Sequence, residues 1–93
     1  MRFEWDETKN ESNLCKHGVD FETAALVFDD LMHVTEQDRD VDGEERWQTI
    51  GAVKGMLLFF VAHTVEDEGD EVVRIISARK VNAHERRRYE ERA

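Results

Sequence analysis

RWQTIGAVKGMLLFFVAHTV, residues 46–65, is the stretch from which the rest of the chain can be laid out. From Arg46 to Val53 the pattern has period two, with Trp47, Thr49, Gly51 and Val53 on one face, as in a half-buried strand. Lys54-Gly55 has the composition of a tight turn. Met56 to Val65 is apolar on both faces, which suits a central strand covered on both sides. Two strands joined by so short a turn are antiparallel, so the sheet is expected to grow outward from this hairpin.

Upstream, Leu31 to Asp38 reads as a strand, and Asp38 to Glu45 as a highly charged loop turning at Asp42-Gly43. Downstream, Glu66 to Asp70 is an acidic turn with Gly69, and Val72 to Lys80 is the last strand. Asn82 and Glu85 then have capping-box spacing and open a helix predicted to run to the end of the chain. At the other end, Arg2 to Trp5 alternates like a short strand. Asp6 can cap a helix over Glu7 to Lys16 that stops at Gly18, with Lys16 and His17 complementing its dipole. Asp20 can cap a second helix, in which Phe21, Ala24, Ala25 and Phe28 share one side before it ends near Asp29-Asp30. The predicted order is β-α-α-β-β-β-β-α. The class is α+β: a meandering antiparallel β-sheet with two N-terminal helices packed on it and a C-terminal helix. With no proline, repeat or low-complexity stretch, residues 1–93 are expected to form a single domain.

Of the 93 residues, 40% are hydrophobic and 38% charged, the balance of a soluble globular domain. The longest apolar run, Met56 to Ala62, is far short of the roughly 20 residues of a membrane span. Residues 1–6 lack an apolar signal region and Cys15 is the one cysteine, so a cytoplasmic location is expected. The formal net charge of −9 argues against a nucleic-acid partner until it is split by position. Residues 1–71 hold 6 basic and 19 acidic side chains, net −13, whereas residues 72–93 hold 7 and 3, net +4.

The helix from Asn82 has no apolar stripe; Val81, Ala83 and Tyr89 are its available anchors. It has two readings. One is a solvated helix laced with Arg86–Glu90 and Arg87–Glu91 pairs. The other is part of a phosphate-binding surface, since arginine presents a planar donor fork that matches phosphate. Arg79, where strand passes into helix, is the better site residue. Arg74 lies an odd number of positions away and faces the other side of a regular strand, packing or pairing under a helix unless a bulge intervenes.

Phe3-Glu4-Trp5-Asp6, Lys9, Asn13, Lys16-His17-Gly18-Val19 and Phe21 resemble the opening of BrnT-type toxins. So do Val27-Phe28-Asp29-Asp30, Glu45-Arg46 with Ile50-Gly51, His63-Thr64, and Arg74 to Lys80 with Glu85-Arg86 and Tyr89, in the family's order and spacing. The resemblance implies a RelE-like fold and the toxin of a bacterial type II toxin–antitoxin system. It implies a ribonuclease that inhibits translation and is neutralised by a BrnA-type antitoxin. Operator DNA is then bound only by the toxin–antitoxin complex. RelE-like toxins are usually basic and this chain is acidic, so either a narrow basic site or a weakly active protein is expected in place of a broad grip on RNA.

Metal-free RNA cleavage needs a base for the 2′-hydroxyl, an acid for the leaving oxygen and cations for the developing phosphorane. Arg79, Tyr89, His63, Arg46 and Glu85 are the candidate catalytic residues, and Lys80, Arg86 and Arg74 the candidate RNA and phosphate contacts. Tyr89 could equally stack on a base. His63, on the central strand, has a second reading as a satisfied core histidine. Trp5 and Trp47 read as core or interface aromatics. Cys15 and His17 lack zinc-ligand spacing and the acidic loops lack a calcium-loop pattern, so no metal or cofactor is expected. Asp38, Asp40 and Asp42 offer a docking surface to a basic antitoxin. The alternative is a non-catalytic protein-binding module or co-repressor acting only with its partner. A helix-turn-helix regulator is disfavoured by the acidity of residues 20–30.

Overall fold

The hairpin of residues 46–65 is the middle of the sheet. In the computed structural model, which describes residues 1–67 and 69–91, the elements are β1 (Arg2–Glu4), α1 (Glu7–His17), α2 (Phe21–Ala25), a 3₁₀ helix (Leu26–Asp29), β2 (Val34–Val41), β3 (Glu44–Val53), β4 (Leu57–Asp67), β5 (Glu71–Lys80) and α3 (Ala83–Glu91). Their order is the predicted one. Position 68 of the acidic turn and the predicted run of the last helix through Arg92 lie outside the described residues.

Local chemistry explains the boundaries. The Asp6 carboxylate accepts from the Lys9 N–H at 3.1 Å, and α1 ends where Gly18 takes φ 74°. Asp20 accepts from the Thr23 N–H at 2.8 Å and opens α2. Asn82 and Glu85 form the full capping box: the Glu85 N–H donates to Asn82 Oδ1 at 2.8 Å, and the Asn82 N–H to Glu85 Oε1 at 3.0 Å. Lys54 and Gly55 have φ 57° and 70°, the left-handed geometry that glycine favours, in a three-residue loop that ends at Met56.

Three boundaries differ from the sequence reading. Asp38 to Glu45 is not a loop. β2 runs through Val41, β3 starts at Glu44, and the turn is Asp42-Gly43 alone, φ 52° and 80°. The hairpin tip is solvated on both sides, so no apolar alternation marks it as strand. β2 begins at Val34, after an exposed turn that holds Leu31 and Met32. The second helix relaxes into 3₁₀ geometry from Leu26.

The sheet order is β1-β5-β4-β3-β2. β2 to β5 form the expected antiparallel meander, with β4 at its centre. β1 is the departure, pairing parallel with β5 (Arg2↔Val72, Glu4↔Arg74) because the chain returns to its starting edge after the meander. One face buries Val53, Phe59, Val61, Val73, Ile75 and Ala78 against Val19, Phe21, Ala24 and Val27 of the helical layer. Gly51 lets the 3₁₀ helix approach: a Cβ there would stand 2.7 Å from the Val27 carbonyl oxygen. Asn13, buried under α1, donates to the Ala78 and Val19 carbonyls and accepts from the Ala78 N–H, serving β5 where β1 no longer reaches it. α3 covers part of the opposite face. No helix among the described residues is long and apolar enough to cross a membrane.

A candidate site on the sheet face under the last helix

The register of β5 slips in its middle. Ala62 faces Ser77 and His63 faces Ile75, so Ile76 is an extra residue, a β-bulge. Arg79 then opposes Phe60 and Arg74 opposes Thr64, four residues further along an unbroken β4. The two arginines therefore share a face, the one opposite the helical layer. The parity of a regular strand, which separates them, does not hold. Arg74 pairs with Glu4 at 3.4 Å on the exposed β1 edge and is not under a helix. Alternation along β3 puts Arg46 on this face as well, 3.5 Å from Glu44.

The centre of the site is Arg79. Its guanidinium lies 4.3 Å over the Phe60 ring. Nη1 and Nη2 donate to the two oxygens of Glu85 at 2.8 and 2.9 Å. Glu85 is 7% exposed, fixed by the capping box from one side and by Arg79 from the other. The Arg79 hydrogen bonds hold its carboxyl below the usual range although burial alone would raise it, and they raise Arg79 in turn. One turn on, Arg88 pairs with Glu36 of β2 across the same face. Gln48, Ala62 and Ser77 between them are half-buried. Four arginines thus share this face, each beside a glutamate.

α3 is held by these ties more than by burial: Glu85 is its one buried residue among those described. The third tie comes from Tyr89, whose hydroxyl donates to Asp30 Oδ2 at 2.6 Å. The same oxygen accepts from the Ala52 N–H at 2.8 Å, capping β3 beyond the start of β2.

Of the sequence-predicted residues, the structure brings Arg79, Glu85, Arg46 and Arg74 to one face. Tyr89 and Arg86 line a groove on the flank of α3 toward the β3–β4 turn, with Ala52 and Leu58 of the same sheet face in its wall. Lys80 is exposed, and its pairing with Phe59 puts it toward the helical layer. His63 is on that layer's side too, 1% exposed, under the edge-on ring of Phe28 at 5.1 Å. Its Nε2 is bonded to Thr49 Oγ1 at 2.8 Å, and Thr49 to Thr35 at 2.8 Å. Burial, opposed in part by the Thr64 backbone, pushes its pKa to about 4, so it is neutral at physiological pH. His63 therefore has the geometry of a core histidine. Arg88, Glu36, Phe60 and Asp30 belong to the arrangement and were not singled out by sequence; for Arg88 the three-residue spacing from Glu85 was an available signal. Among the described residues no three His, Cys, Asp or Glu side chains converge as metal ligands would.

A family profile described as "Ribonuclease toxin, BrnT, of type II toxin-antitoxin system" matches residues 5–85. Among solved structures the chain is similar to the crystal structure of the Brucella abortus ribonuclease toxin BrnT. The TM-score is 0.63 and the identity 29%, over 88% of this chain and 97% of that one. No curated protein matches the chain.

Proposed function

Because the chain belongs to the BrnT family of ribonuclease toxins of type II toxin–antitoxin systems, we propose that it cleaves RNA at the Arg79–Glu85 face without a metal ion. In this reading it inhibits translation in the cytoplasm, a BrnA-type antitoxin neutralises it, and the complex of the two binds operator DNA.

The observation that carries the reading is the bidentate Arg79–Glu85 pair on a face with three further arginines. Arg79 can receive the scissile phosphate and stabilise the charge that grows on it, with Arg74 and Arg46 further along the face placed for neighbouring phosphates. Glu85 is ionised at neutral pH and positions Arg79 through both oxygens; its lowered pKa makes it a weak base until an arriving phosphate draws the guanidinium away and frees it to take the 2′-hydroxyl proton. Tyr89, one helical turn beyond, is the donor to the departing 5′ oxygen once its hydroxyl passes from Asp30 to substrate. His63 has no part in this scheme, being sealed on the other face.

The test is expression of the chain alone, with growth, protein synthesis and cleavage of a defined RNA in EDTA as readouts. Arg79→Ala is expected to abolish arrest and cleavage, and Arg79→Lys to leave a small fraction of each. Circular dichroism and melting check that both variants fold. Full toxicity of folded Arg79→Ala refutes the assignment. A wild-type chain that binds its antitoxin but never arrests growth or cuts RNA is a binding module instead.

A further inference from the structure

An open groove of about 660 Å3 lies between the end of the 3₁₀ helix, the Lys54-Gly55 turn and α3. Leu26, Val53 and Leu58 supply the apolar part of its lining, and Asp29, Asp30, Lys54, Arg86 and Glu90 the charged part. Its rim holds the two most exposed large apolar side chains among the described residues, Leu31 at 95% and Met56 at 80%. They come from two different loops, so one occupant could cover both. Apolar side chains left in water beside a formed groove mark an interaction surface.

We propose that this groove is the docking surface for the antitoxin, and that its occupant is an amphipathic helix with an apolar stripe flanked by lysine or arginine. The inference rests on the toxin–antitoxin reading of the family and adds where the partner sits. Charge selects the occupant. The groove's carboxylates are Asp29, Asp30 and Glu90, against Lys54 and Arg86. A second copy would bring −9 against −9. RNA would set phosphates against three carboxylates with only Lys54 and Arg86 to offset them. A basic amphipathic helix meets both the lining and the rim, in the helix-in-groove mode. It would contact α3 at Arg86, Tyr89 and Glu90, beside the flank that holds Glu85 and Arg88.

The test is the double variant Leu31→Glu, Met56→Glu; both side chains are too exposed to be needed for folding. The antitoxin, produced from the reading frame adjoining this chain's own, is titrated calorimetrically against wild type and variant. Kd is expected to rise at least 100-fold, while RNA cleavage by the free variant stays at the wild-type level. An unchanged Kd overturns the proposal. So does loss of affinity in Asp38→Lys, Asp40→Lys, Asp42→Lys with the groove variant unaffected, which places docking at the hairpin tip. So does a free wild-type dimer that the groove variant dissolves, which gives the groove to a second copy. If neither free protein cuts RNA yet the variant loses the antitoxin, the catalytic reading fails and the docking surface stands.

Discussion

Replacing Asp30 with alanine asks whether α3 is fastened by polar ties. Asp30 Oδ2 accepts from the Tyr89 hydroxyl at 2.6 Å and the Ala52 N–H at 2.8 Å, and Oδ1 from the Met32 N–H at 3.0 Å. Burial would raise its pKa, yet these donors, with His33, hold it below the ordinary value of 3.8. A bond to a charged acceptor is worth about 1.5–3 kcal/mol when well buried. Asp30 is only half-buried and the Met32 bond is exposed, so the two remaining bonds together contribute about 2 kcal/mol. That is roughly 8–16 °C in melting temperature for a chain of this size. Asparagine, with its carbonyl at the Oδ2 position, keeps both of those bonds and should lose about 1 kcal/mol or less. The depressed pKa fixes the sign with pH: the carboxylate's contribution is complete above about pH 4 and disappears as pH falls through the lower folded-state value. Urea unfolding at pH 7 and pH 3.5, with amide hydrogen exchange, reads all of this. The alanine deficit should shrink at pH 3.5, and α3 amides should exchange faster than those of β4. An Asp30→Ala deficit no larger than that of exposed Asp38→Ala, or α3 exchange unchanged, refutes the reasoning.

His63 should make the protein acid-sensitive in a higher window. Its folded pKa of about 4 lies below the unfolded 6.5, so the unfolded chain takes up the proton first and stability falls from pH 6.5 toward 4. The loss is about 2 kcal/mol by pH 5, and His63→Gln should flatten that slope in urea titrations; equal slopes would contradict it. Gly51→Ala drives a Cβ to 2.7 Å from the Val27 carbonyl oxygen, where backbone must move, and should cost about 1–3 kcal/mol in thermal melts. Asn13→Ala strands the Ala78 N–H and two carbonyls in the interior and should cost about 3 kcal/mol by urea unfolding.

The elements with local causes were legible in sequence. Asp6, Gly18, Asp20, Asn82 and Glu85 each act within one helical turn, and Lys54-Gly55 within two residues, so their spacing alone betrays them. The apolar run of β4 announced its central place. What escaped depends on partners distant in sequence. The hairpin tip at Asp38–Glu45 is wet on both faces and offers no periodicity. The parallel seat of β1 depends on β5, some 70 residues later. The bulge at Ile76 is set by pairing with β4 and by Asn13, and it alone brings Arg74 to the face of Arg79. For the site, residue types pointed to Arg79 and Glu85. Nothing local showed that His63 faces the helical layer while Arg79 faces the opposite side.

The four Arg–Glu pairs bear on how such a surface handles salt. A bare arginine face that takes up a single-stranded polyanion releases the polyanion's condensed cations, and four contacts would give a log–log salt slope of roughly −3. Here each arriving phosphate displaces a carboxylate, which must then gather cations of its own. Docking becomes an ion exchange in which much of the released counterion is taken back. Under the proposed reading, affinity is expected to be modest and comparatively flat from low to physiological ionic strength, with selectivity for ligands whose geometry replaces the carboxylate fork oxygen for oxygen.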